Sequence, residues 1–260
     1  VDFNPFKGVL GSDYVGLGNF LRFFTSRRAV PIMYNTVFIA VAKIIVGTLA
    51  SIIFALLINE IRIHSYRRVT QTLTTLPHFM SWVIVGGIMV GVLSSTGIVN
   101  KAITAVGLPP IKFLGSPPIF PWTLVFLETW KGFGWGAIIY LAALTNINPE
   151  LYEAAAVDGA NRWKRMLNVT LPGISSTIIL MSCLNLGNIL NAGFEQILVL
   201  MNPLVESTGD IIDTYVYRVG LLRTVWSIGA AVGLLKSVIG FALSLLSYWL
   251  ADKFANYRIF

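Results

Sequence analysis

Charged residues are scarce in this chain. Only 12% of its 260 residues are Asp, Glu, Lys or Arg, whereas 55% are hydrophobic and the mean hydropathy is +0.74. Soluble domains carry about 25% charged residues, so this composition excludes an ordinary soluble domain and predicts a membrane protein with several spans. The net charge of +7 does not indicate nucleic-acid binding, because no basic face with interleaved aromatic residues lies outside the hydrophobic runs. Basic loops beside anionic lipid account for it.

Residues suited to catalysis or metal binding are also few. Cys183 is the single cysteine, which excludes an intramolecular disulfide. The two histidines, His64 and His78, are not placed as a metal pair, so we predict no metal site and expect each side chain to be hydrogen-bonded or solvated. No G-x-x-x-x-G-K-[ST] sequence occurs, so the chain is not predicted to bind nucleotide phosphates itself. If ATP is used, another subunit must bind it, and this chain is not predicted to be an enzyme.

Five hydrophobic runs are long enough to cross a bilayer core of about 20 residues. They cover residues 33–59, 74–95, 122–144, 173–196 and 226–250, and they predict an all-α bundle of membrane helices. Residues 1–32 contain four early glycines and are predicted not to span the membrane. Within them, residues 19–24 favour an amphipathic piece lying in the interface, with a plain loop as the alternative. Residues 96–121 are rich in Gly and Pro and are predicted to be a connector.

A long polar segment separates the third run from the fourth. Asn148 can cap a helix, Pro149 suits its first position, and Glu150 is favoured there by the helix dipole. Residues 151–157 favour helix and include three consecutive alanines, and Gly159 is a natural helix terminator. A basic segment, residues 162–165, follows. The sequence therefore predicts a short helix with a small-residue surface, which suits docking into a groove of another protein.

The spacing of this segment resembles the EAA loop of binding-protein-dependent ABC importer permeases. Seven positions stand in register over 29 residues: Leu144, Glu153, Ala154, Ala155, Gly159, Leu171 and Pro172. The wider chain resembles the carbohydrate-uptake branch of that family, the maltose-permease type. The segments FNPFKG, NAGFEQILVLMNP and GDIIDTYVYRVGL resemble the subgroup that imports oligosaccharides derived from plant or algal polysaccharides.

The resemblance implies a helix bundle of the type I ABC importer permease kind, with a sixth span before Val1. It implies a transmembrane permease domain over residues 33–260, whose cytoplasmic coupling loop covers residues 146–172. Within that loop, the residues expected to couple to the ATPase are Glu153, Ala154, Ala155, Asp158 and Gly159. Basic residues divide eight to eight between the two sides, so the orientation rests on the resemblance rather than on charge.

The same resemblance implies partners and a location. We expect a second permease subunit, two ATP-binding subunits that hold ATP and Mg, and an external or periplasmic solute-binding protein, in a bacterial cytoplasmic membrane. The predicted function is uptake of oligosaccharides, and Lys131 in the expected path favours acidic ones derived from alginate or pectin. Two alternatives stay open: an ABC permease for another solute, such as an amino acid or phosphate, and an ATPase-independent channel or carrier.

Polar residues within the runs mark the expected substrate path. Glu128, Lys131 and Trp135 recur at helical spacing on the third run, as do Asn188, Asn191 and Glu195 on the fourth, with Asn185 one turn earlier. The predicted path residues are Lys131, Trp135, Asn185, Asn188, Asn191 and Glu195, because amides, charges and aromatic faces bind sugars. Alternatively, the asparagines bond between helices and Glu128 pairs with Lys131. For Lys43 and Lys236, subunit contacts or snorkelling are favoured.

Overall fold

The computed structural model describes residues 2–255, so Arg258 and the predicted domain end at residue 260 lie outside the described residues. Two short strands, β1 (Asp2–Asn4) and β2 (Gly8–Asp13), precede the helices. The first helices are α1 (Gly18–Phe24), α2 (Ala29–Asn59), α3 (His64–Thr75), α4 (Trp82–Val92), α5 (Ile98–Ala105), α6 (Phe120–Thr145), α7 (Pro149–Val157) and α8 (Arg162–Arg165). They are followed by α9 (Leu171–Gly173), α10 (Ser175–Gly187), α11 (Phe194–Leu200), α12 (Glu206–Gly209), α13 (Ile212–Tyr215) and α14 (Trp226–Ala255).

The N-terminal segment contains a hairpin that the sequence analysis did not predict. Strands β1 and β2 pair antiparallel, with Asp2 opposite Asp13. The turn forms because the Asn4 side chain accepts a hydrogen bond from the amide of Phe6 at 3.0 Å, an arrangement that asparagine favours in turns. The fold is therefore mostly helical rather than strictly all-α. Residues 18–24 form helix α1 with Phe23 buried, so the plain-loop alternative is wrong, and an interfacial position stays a prediction.

Two helices among residues 2–255 are long and apolar enough to span a membrane alone, α2 and α14. Helix α2 has 31 residues, and at 1.5 Å per residue it is about 46 Å long. That length matches a bilayer together with its headgroup regions, which measure about 40–45 Å. The spans predicted over residues 33–59 and 226–250 are therefore confirmed as continuous helices. Helix α6 covers the run at residues 122–144 and carries the charges of Glu128 and Lys131.

Two predicted spans are bent rather than continuous. The chain turns by 102° between His64–Phe79 and Trp82–Val92, where Pro77 lies in a 3₁₀ segment and Ser81 caps α4. A second bend of 55° separates Arg162–Gly173 from Ser175–Gly187. The runs at residues 74–95 and 173–196 are therefore not single straight helices, and each stays a predicted span. If each bent pair is one span, up to four spans meet the criteria of length and apolarity in the described chain, and the count of five stays a prediction.

Contacts divide the chain into two compact units. The first comprises residues 2–42, 80–126 and 189–242, and the second comprises residues 43–79, 127–188 and 243–255. The first has a buried cluster formed by Phe23, Ala29, Ile32, Ile212, Tyr215 and Val232. The second has a cluster formed by Ile52, Ala55, Ile58, Ala137, Tyr140, Leu141, Leu144 and Ile174. In each unit, therefore, residues distant in sequence share one apolar core.

Small residues allow close packing inside each unit. A Cβ on Gly86 would lie 2.5 Å from the side chain of Val199, and a Cβ on Gly136 would lie 2.5 Å from the hydroxyl of Ser51. Membrane helices associate largely through such close contacts, because lipid tails are as apolar as the side chains they would replace. In the second run, Gly86 thus allows close packing, whereas a Cβ on Gly87 or Gly91 would meet no atom within 4 Å.

Candidate coupling surface and translocation path

Helix α7 begins where the sequence predicts. The side chain of Asn148 accepts a hydrogen bond from the amide of Glu150 at 3.1 Å, and its amide group donates to the Glu150 carboxylate at 3.0 Å. Pro149 occupies the first turn, where its missing N–H leaves no bond unmade. The helix start is therefore fixed by residues that are adjacent in sequence.

The other end of α7 is a glycine cap. The amide of Gly159 donates to the carbonyl of Ala156 at 3.1 Å, and the amide of Ala160 donates to the carbonyl of Ala155 at 2.9 Å. This pair of bonds is the Schellman arrangement, which needs a left-handed residue at the position of Gly159. Its φ is +71°, as that arrangement requires.

The surface of α7 is open. The helix has no buried residue: Glu153 and Ala154 are exposed, Ala155 is half-buried, and the following Asp158 and Gly159 are exposed. Neither carboxylate, Glu153 nor Asp158, forms an ion pair with any residue in the range 2–255. A Cβ placed on Gly159 would meet no atom within 4 Å. The five predicted coupling residues thus lie on one short, accessible segment.

Contacts on its inner side hold the coupling segment to its unit. The hydroxyl of Tyr152 lies 3.1 Å from that of Thr170, which is buried at the end of the π-helical segment Met166–Thr170. At the next turn Gly173 meets Ile147 so closely that a Cβ there would lie 2.8 Å from its side chain. Both ends of the segment are therefore anchored to packed residues while α7 stays exposed.

Lys131 and Trp135 on α6 both contact the 3₁₀ segment Leu76–Phe79. The ammonium of Lys131 donates to the carbonyl oxygen of His78 at 2.9 Å. The indole of Trp135 stacks on the His78 imidazole with ring centroids 4.8 Å apart and an interplanar angle of 1°. Phe79 meets Trp135 edge-on at 5.6 Å. We call His78, Phe79, Lys131 and Trp135 the aromatic–lysine cluster.

This cluster combines apolar ring surface with a positive charge. Trp135 keeps 46% of its surface exposed and Phe79 keeps 69%, whereas Lys131 is buried, with only 8% of its surface exposed. The contacts of His78 and Phe79 were not predicted from the sequence, although Pro77 beside them is a residue that interrupts regular helix. Their contact with α6 comes from the bend, which brings residues far apart in sequence together.

Glu128, one turn before Lys131, forms an ion pair with Lys43 at 3.5 Å. Lys43 is buried, with 8% of its side chain exposed, and lies near the middle of α2. A buried charge requires a partner of opposite sign, and Glu128 supplies it. Lys43 is thus accounted for by an intramolecular pair, whereas the sequence favoured snorkelling or a subunit contact.

The stripe predicted on the fourth run is broken. Helix α10 ends at Gly187, so Asn185 lies in its last turn and Asn188 caps it. Asn191 lies in a non-helical stretch, and Glu195 lies in the first turn of α11. The prediction that Asn188, Asn191 and Glu195 share one helix face is therefore wrong. Gly187 and Gly193 flank the interruption, and Gly193 has a φ of +93° that favours glycine.

Asn191 instead joins a polar cluster with Lys236 of α14. The Lys236 ammonium donates to the Asn191 side-chain oxygen at 3.0 Å and to the two Asp213 carboxylate oxygens at 2.6 and 2.8 Å. Both ends of the ion pair are partly accessible, with 20% and 24% of their side chains exposed. The lysine that the sequence analysis placed in a subunit contact or at the membrane surface thus has an internal partner.

A second ion-pair network lies in the same unit. Arg218 contacts Asp210 at 2.5 Å and Glu206 at 3.1 Å, and Glu206 also contacts Arg28 at 2.6 Å. Asp210 is buried, and its carboxylate also accepts from the hydroxyl of Thr214 at 2.8 Å. The network therefore ties Arg28, just before α2, to α12 and to the π-helical segment Val216–Leu222 that follows α13.

Comparison with known proteins now identifies the kind of protein that carries these features. The family described as binding-protein-dependent transport system inner membrane component matches residues 47–256. The chain belongs to this family. The matched range includes the whole coupling segment and the aromatic–lysine cluster, and the family resemblance predicted from the EAA spacing is confirmed.

Relatives of this permease support the carbohydrate-uptake branch. Protein LplB of Bacillus subtilis (strain 168) is 40% identical over 260 residues, covering 100% of this chain and 82% of that protein. The polygalacturonan/rhamnogalacturonan transport system permease protein YteP of the same strain is 39% identical over 260 residues, covering 100% of this chain and 81% of that protein.

A solved structure gives the fold of this multi-pass permease. A chain of the bacterial alginate ABC transporter, crystallised in complex with an alginate pentasaccharide-bound periplasmic protein, superimposes with a TM-score of 0.89. It is 37% identical, and the match covers 95% of this permease and 86% of that chain. The type I ABC permease fold predicted from the sequence is confirmed by this likeness.

Proposed function

We propose that this chain is a membrane permease subunit of an ATP-driven importer of acidic oligosaccharides. The observation that carries the proposal is the exposed, doubly capped helix α7 within a chain of this permease family. A short helix that buries none of its own residues gains little stability from a core, so a partner that covers α7 would explain why it is capped at both ends.

The coupling surface consists of Glu153, Ala154, Ala155, Asp158 and Gly159. Small side chains let a groove of the partner approach the backbone, while Glu153 and Asp158 offer carboxylates to basic groups. The partner we infer is an ATP-binding subunit, present in two copies, which would hold ATP and Mg and perform the hydrolysis. Movement of α7 would then move the membrane helices to which Tyr152 and Gly173 fasten it.

The aromatic–lysine cluster is proposed to contact the sugar along the path. Sugar rings present C–H faces that pack against aromatic rings, and a uronate carboxylate forms charge-assisted hydrogen bonds with an ammonium such as that of Lys131. Lys236 and Asn191 provide a second ammonium and a side-chain amide, which could form similar hydrogen bonds with a sugar. Asn185, Asn188 and Glu195 remain candidates for the path, as the sequence predicted.

Acidic oligosaccharides are favoured as the substrate class. YteP is named for polygalacturonan and rhamnogalacturonan transport, and the similar solved transporter imports the acidic polysaccharide alginate. Both are polymers with carboxylate-bearing sugars, which agrees with a lysine in the proposed path. We therefore propose fragments of alginate or pectin, delivered by an external solute-binding protein to a pair of permease subunits in the bacterial cytoplasmic membrane.

Reconstitution tests this proposal. The full chain is incorporated into proteoliposomes with a second permease subunit and the ATPase subunits, and the binding protein is supplied outside. We expect ATP-dependent uptake of labelled oligo-alginate or oligogalacturonate, and much weaker uptake of a neutral maltooligosaccharide. Uptake that persists without ATP or without the ATPase subunits would contradict the proposal and favour a channel or carrier.

Removing the charge of Lys131 tests whether this residue contacts the acidic oligosaccharide during uptake. Lys131→Gln should reduce uptake of the acidic oligosaccharide more than it reduces ATPase activity. Lys112→Gln removes the same charge from an exposed position in the connector before α6 and serves as the control. Equal loss in both variants would argue against a substrate role for Lys131.

A further inference from the structure

A positively charged cavity lies beside the coupling segment, at the end of α2. It has a volume of about 170 Å³ and is lined by residues that include Glu60, Arg62, Tyr152, Arg162, Arg165 and Thr170. Three guanidinium groups face one carboxylate, which leaves an excess of two positive charges. The cavity shares no residue with the five-residue coupling surface or with the sugar path, although most of its lining residues belong to the coupling loop.

The carboxylate neutralises only part of this charge. Glu60 lies 3.9 Å from Arg162, and both side chains are more than half exposed, so their attraction is weak. Arg62 forms no ion pair with any residue from 2 to 255. The Nε of Arg165 is buried and makes no hydrogen bond within that range. Arg165 therefore retains hydrogen-bonding capacity at the wall of the cavity.

The remaining wall is suited to phosphate oxygens. The hydroxyls of Tyr152 and Thr170 lie 3.1 Å apart and bond to each other, so one of them at most can donate to a bound anion beside the guanidinium groups. Guanidinium forks match the oxygens of a phosphate in a bidentate manner, which favours a phosphate over a halide or a single point charge.

The position of the cavity indicates where the phosphate comes from. Helix α2 ends at Asn59 and has the length of a bilayer with its headgroups, so a bilayer centred on α2 would place Glu60 and Arg62 at headgroup level. Exposed apolar side chains adjoin the lining residues in sequence: Ile63 is 68% exposed, Trp163 is 71% exposed and Leu167 is 56% exposed. Tryptophan and basic residues at this level are typical of contact with lipid.

We propose that this cavity binds the phosphate of an anionic phospholipid, such as phosphatidylglycerol, through Arg62, Arg162 and Arg165. A bound headgroup would brace the Tyr152–Thr170 contact and thus the base of α7. The inference does not depend on the transported substrate or on the identity of the ATPase.

Native mass spectrometry of the purified full-length chain, with the partners that copurify, tests the site. The protein is released from nanodiscs of phosphatidylglycerol and phosphatidylcholine in equal amounts, and retained lipids are counted. We expect preferential retention of phosphatidylglycerol, reduced about tenfold by Arg165→Gln, since a charge-assisted hydrogen bond contributes about that factor. Arg62→Gln, at an exposed position, should reduce retention as well and covers the case in which the first variant does not fold.

Lys164→Gln is the matched control, because Lys164 lies between two cavity arginines in α8 but does not line the cavity. It should leave lipid retention unchanged. Displacement of the lipid by millimolar inorganic phosphate would support the phosphate site and identify free phosphate as a competing source. Equal retention by wild type and all three variants would overturn the proposal. Loss of ATPase copurification in Arg165→Gln without any change in lipid retention would also overturn it, by assigning the cavity to the protein partner.

Discussion

Replacing Gly159 with tryptophan should separate the folding of the permease from its coupling to ATP hydrolysis. Gly159 has a φ of +71°, and a Cβ built there meets no atom within 4 Å. The folded chain therefore has space for a large side chain, and within this chain the substitution acts through backbone strain alone. The same side chain would project from the surface that we propose as the docking site.

The two effects differ in size. Placing an L-residue in the left-handed region costs about 1–2 kcal/mol, a modest change in the stability of the chain. A bulky group at the centre of a docking surface costs at least about 2 kcal/mol of binding free energy, which corresponds to about a thirtyfold loss of affinity. Coupling should thus fall far more than stability.

The assay measures three quantities on the reconstituted transporter: thermal stability, copurification of ATPase subunits, and uptake per ATP hydrolysed. Gly107→Trp is the matched control. Gly107 also follows a helix, is exposed, has a φ of +85° and has open space around its Cβ. We expect both variants to lose a similar amount of stability and Gly159→Trp alone to lose copurification and coupled uptake. Normal coupling in Gly159→Trp, or equal loss in both variants, would refute the docking role.

Three further substitutions follow from single contacts. Tyr152→Phe removes the hydroxyl that bonds Thr170 and should lower the free energy of unfolding by about 1 kcal/mol, together with a lower ratio of uptake to hydrolysis. Asp210→Asn removes the buried carboxylate that contacts Arg218 and should cost about 3–5 kcal/mol, seen as a lower midpoint of thermal unfolding and a lower yield. Trp135→Ala removes the ring that stacks on His78 and that we propose packs against the sugar; if the ring–sugar contact is worth about 0.5–1.5 kcal/mol, the KM for oligosaccharide should rise up to about tenfold while ATPase copurification is unchanged.

Each of these substitutions has a control in the same chain. Tyr66→Phe alters an exposed tyrosine on α3 and should change neither stability nor coupling. Glu206→Gln, at a side chain that is 32% exposed, should destabilise less than Asp210→Asn. Trp130→Ala on the same helix as Trp135 should leave the KM unchanged. A result in which a control matches its partner variant would show that the contact in question does not produce the effect.

The sequence was sufficient to predict those structural features that depend on residues close together in the chain. The start of α7 rests on bonds between Asn148 and Glu150, and its end rests on the left-handed Gly159, so the pattern of residue types predicted both. The long apolar helix α2 follows from composition alone. The family could also be predicted from the sequence, because its motif depends on the number of residues that separate Glu153, Ala154 and Ala155 from Gly159.

The sequence was insufficient where a break in a helix decides which side chains meet. Helical spacing on the fourth run predicted one face, but the chain leaves the helix after Gly187, and this moves Asn191 away from that register. The polar residues do recur at helical spacing, but residues with that spacing share one face only if the helix is continuous. Gly193, with its positive φ, shows in retrospect where the period ends.

Only the tertiary structure decided the partners of the charged residues within the apolar runs. Lys131 reaches the carbonyl of His78 across 53 residues, and Lys236 reaches Asn191 across 45. Nothing local to a lysine in an apolar run specifies which distant carboxylate or carbonyl it will meet. That choice follows from how bent and straight helices pack, because an ammonium taken out of water must find an acceptor wherever the packing places one.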